Sequence, residues 1–255
     1  MIIPKQIFST WKKFDGFPME TLTKAWFYQK GTVKKQKDVR LMREHRERYG
    51  ISGNCFDLTL WLLDEFKRDG IKAYPIGQHL GTEHAHVAVV ALDEDGKRYL
   101  CDLGDQWLQP ILVDEDRQEL YSGFFPAANV QVQLEGKGNL NIFYHRPNGK
   151  MSSQQFQLEP IEMTEFMKAA EFSQNLIKSK PLLECRVAYQ LEIAHWEFYN
   201  WESFLSTTEG IVKEPNLASV EEWVEKIHQQ TGYDKYFLLV ALEQYIGENH
   251  PSPFR

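Results

Sequence analysis

Three residues of the types that perform nucleophilic catalysis occur in the central part of the chain. Cys55 precedes one apolar run, His86 begins another, and Asp102 lies near the end of a third. A cysteine attacks as its thiolate, which a helix N-terminus and a neighbouring imidazolium both favour. A histidine can act as its base, and an aspartate can fix the tautomer and orientation of that histidine. The residue types therefore predict a Cys55–His86–Asp102 triad.

Whether His86 and Asp102 can meet depends on the turn between their strands. The segment Asp93–Lys97 contains the Asp-Gly pair that favours a β-hairpin. With a three-residue loop and Gly96 at positive φ, the numbers of opposite residues sum to 190. His86 and Asp102 then become diagonal neighbours on one face. A two-residue loop would turn Asp102 away from His86, so the triad requires the longer loop.

Other interpretations of these residues remain open. Cys55, His86 and Asp102 are also compatible with a buried thiol, a core histidine and a turn aspartate. His84 is the main alternative base, because it has the same strand parity as His86. A zinc site that includes Glu83 is not predicted, because His84-x-His86 lacks further ligands at a recognisable spacing.

The pattern of apolar and turn residues indicates which elements position the triad. A helix is expected from Asn54, a suitable N-cap, to Asp69, with Gly70 at the C′ position. The segment Arg186–Phe204 is rich in aromatic residues and is ambiguous between strand and helix. The expected strands are 71–76, 86–92, 98–103, 130–134, 140–145 and 154–158, and the further helices are 163–177, 219–230 and 236–246.

This order of helices, antiparallel strands and a mixed end predicts an α+β fold rather than alternating βαβ units. We expect three parts. Residues 1–70 would form an N-terminal helical bundle that carries the nucleophile. Residues 71–180 would form a central antiparallel, β-barrel-like domain with the histidine and the aspartate. Residues 181–255 would form a C-terminal mixed α/β or helical lid.

The composition narrows the possible functions. The 255 residues include 29 Lys and Arg against 36 Asp and Glu, a formal net charge of −7. This acidic balance argues against a nucleic-acid binder, which usually has a basic face. No apolar run approaches the ~20 residues that cross a bilayer, and no secretory signal is expected. Three cysteines cannot all be paired, so we expect a reduced, cytoplasmic protein without a membrane partner.

Three motifs resemble the arylamine N-acetyltransferases, which belong to the wider transglutaminase-like and papain-like (cysteine-proteinase-like) thiol enzymes. They are Gly-Asn-Cys-Phe-Asp-Leu at 53–58, His-Val-Ala-Val-Val-Ala-Leu at 86–92 and Tyr-Leu-Cys-Asp-Leu-Gly at 99–104. In that family a glycine lies two residues before the nucleophile, and the aspartate of the triad begins an Asp-x-Gly turn. Where the family has an aromatic residue after this turn, the chain has Asp105, a second carboxylate near the site.

The resemblance implies ping-pong acyl transfer through Cys55 from acetyl-CoA or another acyl-CoA to a small-molecule amine, without a metal. We expect Gly53, Asn54, Phe56 and Asp105 to contribute to substrate binding. One alternative is a transglutaminase-like thiol hydrolase or amide-forming enzyme with the same triad. Another is a catalytically degenerate relative that only binds a ligand. The sequence does not indicate an oligomeric state.

Overall fold

The computed structural model describes residues 3–28, 35–115, 119–136 and 138–246. Within these ranges the chain forms seven helices and thirteen strands. The helices are α1 (Lys5–Lys12), α2 (Leu22–Tyr28), α3 (Val39–Tyr49), α4 (Cys55–Arg68), α5 (Met163–Asn175), α6 (Val220–Thr231) and α7 (Lys235–Glu243). The strands are β1 (Met19–Glu20), β2 (Ala73–Gln78), β3 (His86–Leu92), β4 (Arg98–Cys101), β5 (Ile111–Leu112), β6 (Tyr121–Phe125), β7 (Ala128–Glu135), β8 (Asn139–His145), β9 (Met151–Gln157), β10 (Leu182–Tyr189), β11 (Glu192–Tyr199), β12 (Glu202–Thr207) and β13 (Gly210–Lys213).

Strands β2 to β9 form a barrel-like antiparallel sheet in the order β5-β4-β3-β2-β9-β8-β7-β6. This sheet shares a large apolar core with α1, α3 and α4, to which Trp11, Met42 and Trp61 contribute. Burial of such side chains is the main favourable term in folding. Helix α4 packs directly on β3, and the first residues of both elements, Cys55 and His86, adjoin Gly104.

The other strands form a second antiparallel sheet in the order β1-β10-β11-β12-β13. The aromatic-rich segment 186–204, ambiguous from its sequence, lies in β10, β11 and β12. Along β11 the buried residues alternate at Ala194, Trp196 and Phe198, which is the period of a strand. Helices α2, α6 and α7 complete the core of this sheet.

The predicted α+β class is confirmed, and β3 has the bounds expected from the sequence. The division of the chain near residues 70 and 180 stays a prediction. The first 70 residues contribute to both apolar cores. Helices α1, α3 and α4 pack with the larger sheet, whereas α2 packs with the smaller one. None of the helices that the structure describes combines the length and apolar character that crossing a bilayer requires.

Candidate active site

Cys55 is the first residue of α4, and its position is set by a capping box. The Asn54 side chain accepts hydrogen bonds from the amides of Phe56 (3.0 Å) and Asp57 (3.2 Å). The carboxylate of Asp57 accepts in return from the Asn54 amide at 3.2 Å. The predicted N-cap is therefore confirmed, and a cap of this type contributes about 1 kcal/mol to helix stability. It fixes where the helix begins and where the thiol emerges.

The buried carboxylate of Asp57 anchors the turn before this helix. It accepts from Gln36 Nε2 at 2.6 Å and Gln174 Nε2 at 3.1 Å, and it pairs with Lys37 Nζ at 3.2 Å. Gly53 makes this approach possible, since a Cβ atom there would overlap the Asp57 carboxylate. Its φ of +114° also favours glycine. Gly53 thus shapes the turn through its backbone.

The backbone amide of Cys55 is left open by this arrangement. The amide of Leu58 makes the first intrahelical hydrogen bond, to the Asn54 carbonyl at 3.0 Å. The amides of Phe56 and Asp57 donate to the Asn54 side chain instead. Within the described part of the chain, the Cys55 amide donates to no protein acceptor. It lies at the positive end of the helix dipole, so it can donate to an anionic oxygen.

The β3–β4 hairpin has the loop that the triad requires. Val89 pairs with Cys101, so the numbers of opposite residues sum to 190. Gly96 has a φ of +79°, as expected for a three-residue loop. The predicted register is confirmed, and with it the placement of His86 and Asp102 on one face of the sheet.

The imidazole of His86 is held by a fully buried carboxylate. Its Nε2 lies 2.8 Å from Asp102 Oδ2, while Asp102 Oδ1 accepts from the Asp105 amide at 3.0 Å. Because an ionised carboxylate can only accept, Nε2 carries the hydrogen and Nδ1 is free to take a proton. The thiol of Cys55 interacts with this imidazole and is one of the groups that raise its pKa.

Gly104 shows how closely the three side chains converge. A Cβ atom at Gly104 would lie 2.8 Å from Cys55 Cβ, 2.8 Å from His86 Cε1 and 3.2 Å from Asp102 Oδ1. The Asp-x-Gly turn therefore brings bare backbone against all three residues of the predicted triad. A larger residue at this position would displace the thiol or the ring.

A second carboxylate, Asp105, adds negative charge beside His86. Its Oδ1 lies 3.6 Å from His86 Nε2, and its Oδ2 lies 3.5 Å from the Tyr144 hydroxyl oxygen. Burial lowers the pKa of His86, but the charges of Asp102 and Asp105 outweigh it and hold that pKa well above 6.5. Burial raises the pKa of Asp105 to about 6, against the opposing charge of His86. The two carboxylates thus favour an imidazolium at neutral pH.

Two cavities adjoin these residues. The first, of about 240 Å³, is lined by Cys55 and His86 together with Asn54 and Lys24. The second, of about 610 Å³, lies between the two sheets and is lined by Asp105 and by residues of β8, β9, β11 and β12. The predicted substrate contacts Asn54 and Asp105 therefore both reach a cavity wall.

Phe56, also expected to contact substrate, is placed elsewhere by the structure. It is fully buried in a small apolar core between α4, β3 and α5. Its ring lies 5.4 Å from that of Phe166, in an edge-to-face arrangement. Phe56 therefore packs α4 onto α5 instead of lining either cavity, because residue N2 of the helix faces the core when residue N1 faces the cavity.

The alternative base His84 lies outside the candidate site. Its side chain is 75% exposed and its Nε2 faces Glu83 Oε1 at 3.7 Å. Strand β3 begins at His86, so His84 does not continue the strand face that carries the imidazole. His86 is the histidine that the structure brings to Cys55.

Several residues of the site carry no sequence signal that would have revealed them. The Tyr144 hydroxyl donates to Gln154 Oε1 at 2.9 Å and, with it, borders Asp105. Lys24 lies in the wall of the Cys55 cavity although it belongs to α2, a short helix that precedes the nucleophile in the sequence. Only the pairing of distant strands and helices brings these residues to the triad.

His86, Asp102 and Asp105 are also the one group of three possible metal ligands found among the described residues, with atoms within 4.8 Å of one another. The histidine nitrogen of this group already faces Asp102 at 2.8 Å, as a donor to its carboxylate. A metal would have to displace that proton and break the hydrogen bond. The expected independence from metals stays a prediction.

The fold defines a structural class. A mixed α+β fold with a nearly closed antiparallel sheet, here with a cysteine at a helix N-terminus beside a histidine and an aspartate, is consistent with the papain-like fold. No family model matches the chain, and no curated protein matches it significantly. The comparison with solved structures, in contrast, gives matches over nearly the whole chain.

More narrowly, the chain has the fold of the arylamine N-acetyltransferases. It is similar to that of Mycobacterium smegmatis, with 12% identity, a TM-score of 0.74 and coverage of 97% of this chain and 94% of the other. It is similar to the arylamine N-acetyltransferase of Nocardia farcinica, with 12% identity, a TM-score of 0.74 and coverage of 95% of this chain and 87% of the other. It is also similar to the arylamine N-acetyltransferase of Mycobacterium marinum, solved in complex with CoA, with 10% identity, a TM-score of 0.69 and coverage of 94% of this chain and 92% of the other.

Proposed function

We propose that this protein is an N-acyltransferase that carries an acyl group from an acyl-CoA to a small-molecule amine through a thioester on Cys55. The observation that carries the proposal is the convergence of Cys55, His86 and Asp102 around Gly104. The similarity to arylamine N-acetyltransferases, one of them solved with CoA, supports the choice of acyl donor and acceptor.

In the first half-reaction, His86 Nδ1 takes the proton of the Cys55 thiol. The thiolate attacks the thioester carbonyl. The oxygen of the tetrahedral intermediate then accepts a hydrogen bond from the backbone amide of Cys55. The carbon–sulfur bond to coenzyme A then breaks, and the departing thiolate takes the proton from the imidazolium. Asp102 holds the ring through Nε2 and stabilises its cation throughout.

In the second half-reaction, an amine attacks the acyl group on Cys55. The imidazole of His86 accepts the proton that the amine loses, and the Cys55 thiolate leaves as the amide forms. The thiolate–imidazolium pair is restored at the end of the cycle. No step needs a metal or a redox partner, because only protons and one acyl group move.

Intact-mass spectrometry after incubation with acetyl-CoA tests this proposal. We expect one acetyl group on the wild-type protein, its removal when aniline is added, and none on Cys55→Ala. Cys185→Ala is the matched control, because burial raises the pKa of that thiol to about 12 and keeps it unreactive. It should be acetylated like the wild type.

The outcomes separate the alternatives. Acetylation that is lost to water at the same rate with and without aniline would indicate a thiol hydrolase. Rapid alkylation of Cys55 by iodoacetamide without any acetylation would indicate a thiol enzyme that uses another acyl donor. A protein that shows neither reaction would be a binding relative, and the proposed function would be wrong.

A further inference from the structure

Lys24 has an unusual position for a lysine. It lies on α2 and in the wall of the 240 Å³ cavity that contains Cys55, and it is only 8% exposed. Within the described residues, no hydrogen bond or ion pair engages its ammonium group. Lysines are almost never buried to this degree unless they are paired. The structure thus contains a nearly buried, unpaired cation beside the nucleophile.

The neighbouring carboxylates are not free to neutralise this cation. The Glu20 carboxylate accepts hydrogen bonds from the amide and the hydroxyl of Thr23, at 2.7 and 2.5 Å. Asp57 is engaged by the buried Lys37 and by its capping partners. Burial lowers the pKa of Lys24, and the charge of Lys178 adds to this effect, whereas the charges of Cys55, Asp57 and Glu20 raise it. Burial of a charged ammonium group without a partner costs free energy, and a bound anion would offset that cost.

The rest of the cavity wall is also basic. Lys178 and Lys180 line it, and Glu83 is the acidic side chain among its lining residues. Glu83 lies 3.5 Å from Lys178, so this outer pair is largely neutral and half exposed. Lys180 is exposed to solvent, so the positive charge that is both buried and without an ion-pair partner among the described residues is that of Lys24.

The size of the cavity limits which anion can reach Lys24. A volume of 240 Å³ corresponds to a sphere ~8 Å across, below the range of typical sites for drug-sized ligands. It accommodates an acyl group of a few carbons on Cys55. It does not accommodate the pantetheine arm of coenzyme A with its phosphates, which lie at the far end of that arm. Once Cys55 is acylated, its own negative charge is gone, and the acyl group is the part of an acyl-CoA that can place an anion beside Lys24.

We propose that Lys24 binds a carboxylate on the transferred acyl group, so that the preferred donor is the monothioester of a dicarboxylic acid. This inference rests on the proposed function and specifies its donor. The Cys55 thiolate attacks the thioester carbonyl, coenzyme A leaves as its thiol after taking the proton from His86, and the free carboxylate stays paired with Lys24. A charge-assisted hydrogen bond in a water-poor site orients the acyl chain.

Single-turnover acylation followed by intact-mass spectrometry tests this inference. The donors are malonyl-CoA and succinyl-CoA, each compared with its neutral counterpart of equal chain length, propionyl-CoA and butyryl-CoA. We expect one of the two anionic donors to acylate wild-type Cys55 at least ~10-fold faster than its counterpart, as a charged hydrogen bond would give. Cys55→Ala corrects for acylation at other residues.

Variants assign the preference to Lys24. Lys24→Met should reduce the rate of the anionic donor to that of its neutral counterpart, whereas Lys178→Met should retain the preference, since Glu83 already balances that lysine. Equal rates for the anionic and neutral donors in the wild type would overturn the inference without any variant. So would a Lys24→Met protein that slows all donors equally. If no thioester, acetyl-CoA included, acylates Cys55, the proposed function itself is wrong.

Discussion

Replacement of Gly104 by alanine tests the geometry on which the site depends. The added methyl group would lie 2.8 Å from both Cys55 Cβ and His86 Cε1, about 0.6 Å closer than the 3.4 Å at which ordinary contacts begin. Neither atom can yield easily, because one is fixed to the first turn of α4 and the other belongs to a ring held by Asp102. The thiol and the imidazole must therefore move apart.

The expected effect is larger on rate than on stability. Overpacking of this kind costs about 1–3 kcal/mol of unfolding free energy. A misplacement of this order in reacting groups costs up to ~100-fold in rate. We expect Gly104→Ala to fold, to lose a few degrees in Tm and to be acetylated ~100-fold more slowly by acetyl-CoA.

The matched control is Gly138→Ala. A Cβ atom at Gly138 meets nothing within 4 Å, and the residue is not in the left-handed region. This variant should be acetylated at the wild-type rate. The reasoning would be refuted by a folded Gly104→Ala protein that is acetylated as fast as the Gly138→Ala control, because the thiol and the ring would then not depend on the bare backbone between them.

Three further predictions concern the charges around His86, and a fourth concerns the independence from metals. Asp102→Asn should fold normally but lose ~10³–10⁴-fold in acylation rate, since the amide stabilises the imidazolium poorly; circular dichroism and single-turnover rates check this. Asp105→Asn should lower the pKa of His86, seen by NMR titration of the imidazole, because one of two raising charges is gone; an unchanged titration would dismiss that role. The raised pKa of His86 means that its charge stabilises the fold fully below pH ~6.5 and that this contribution is lost as pH rises through the folded-state value. Urea unfolding of wild type and His86→Gln should therefore converge at alkaline pH. EDTA should leave acetylation of Cys55 unchanged, whereas a loss restored by added zinc would contradict the metal-free interpretation.

The parts of the site that follow local rules could be predicted from the sequence. Asn54 satisfies the amides of the first turn, so the start of α4 follows from the cap. Gly96 favours the three-residue loop, and the loop length determines that His86 and Asp102 share a face. These features depend on residues within a few positions of one another, and the resemblance to a known family rests on the same short motifs.

Burial and long-range contact could not be predicted in this way. Phe56 follows the nucleophile directly, yet it packs against Phe166 in α5, because the direction of a helix face depends on its neighbours. Lys24 would ordinarily be taken as a solvated residue on a short helix. Its place in the Cys55 cavity follows from the packing of α2 against α7 and α5, elements that come much later in the chain.

The candidate site is held by backbone geometry at two glycines as much as by its polar side chains. Gly53 lets the Asp57 carboxylate fold back onto the Asn54 amide, and this places the thiol at the helix start. Gly104 lets the turn after Asp102 approach both the thiol and the ring. At each position a Cβ atom would meet its neighbours at under 3 Å. A chain with the same three reactive side chains but with bulkier residues at these two points would keep its chemical groups and lose their juxtaposition, so the glycines specify the site as strongly as the residues that react.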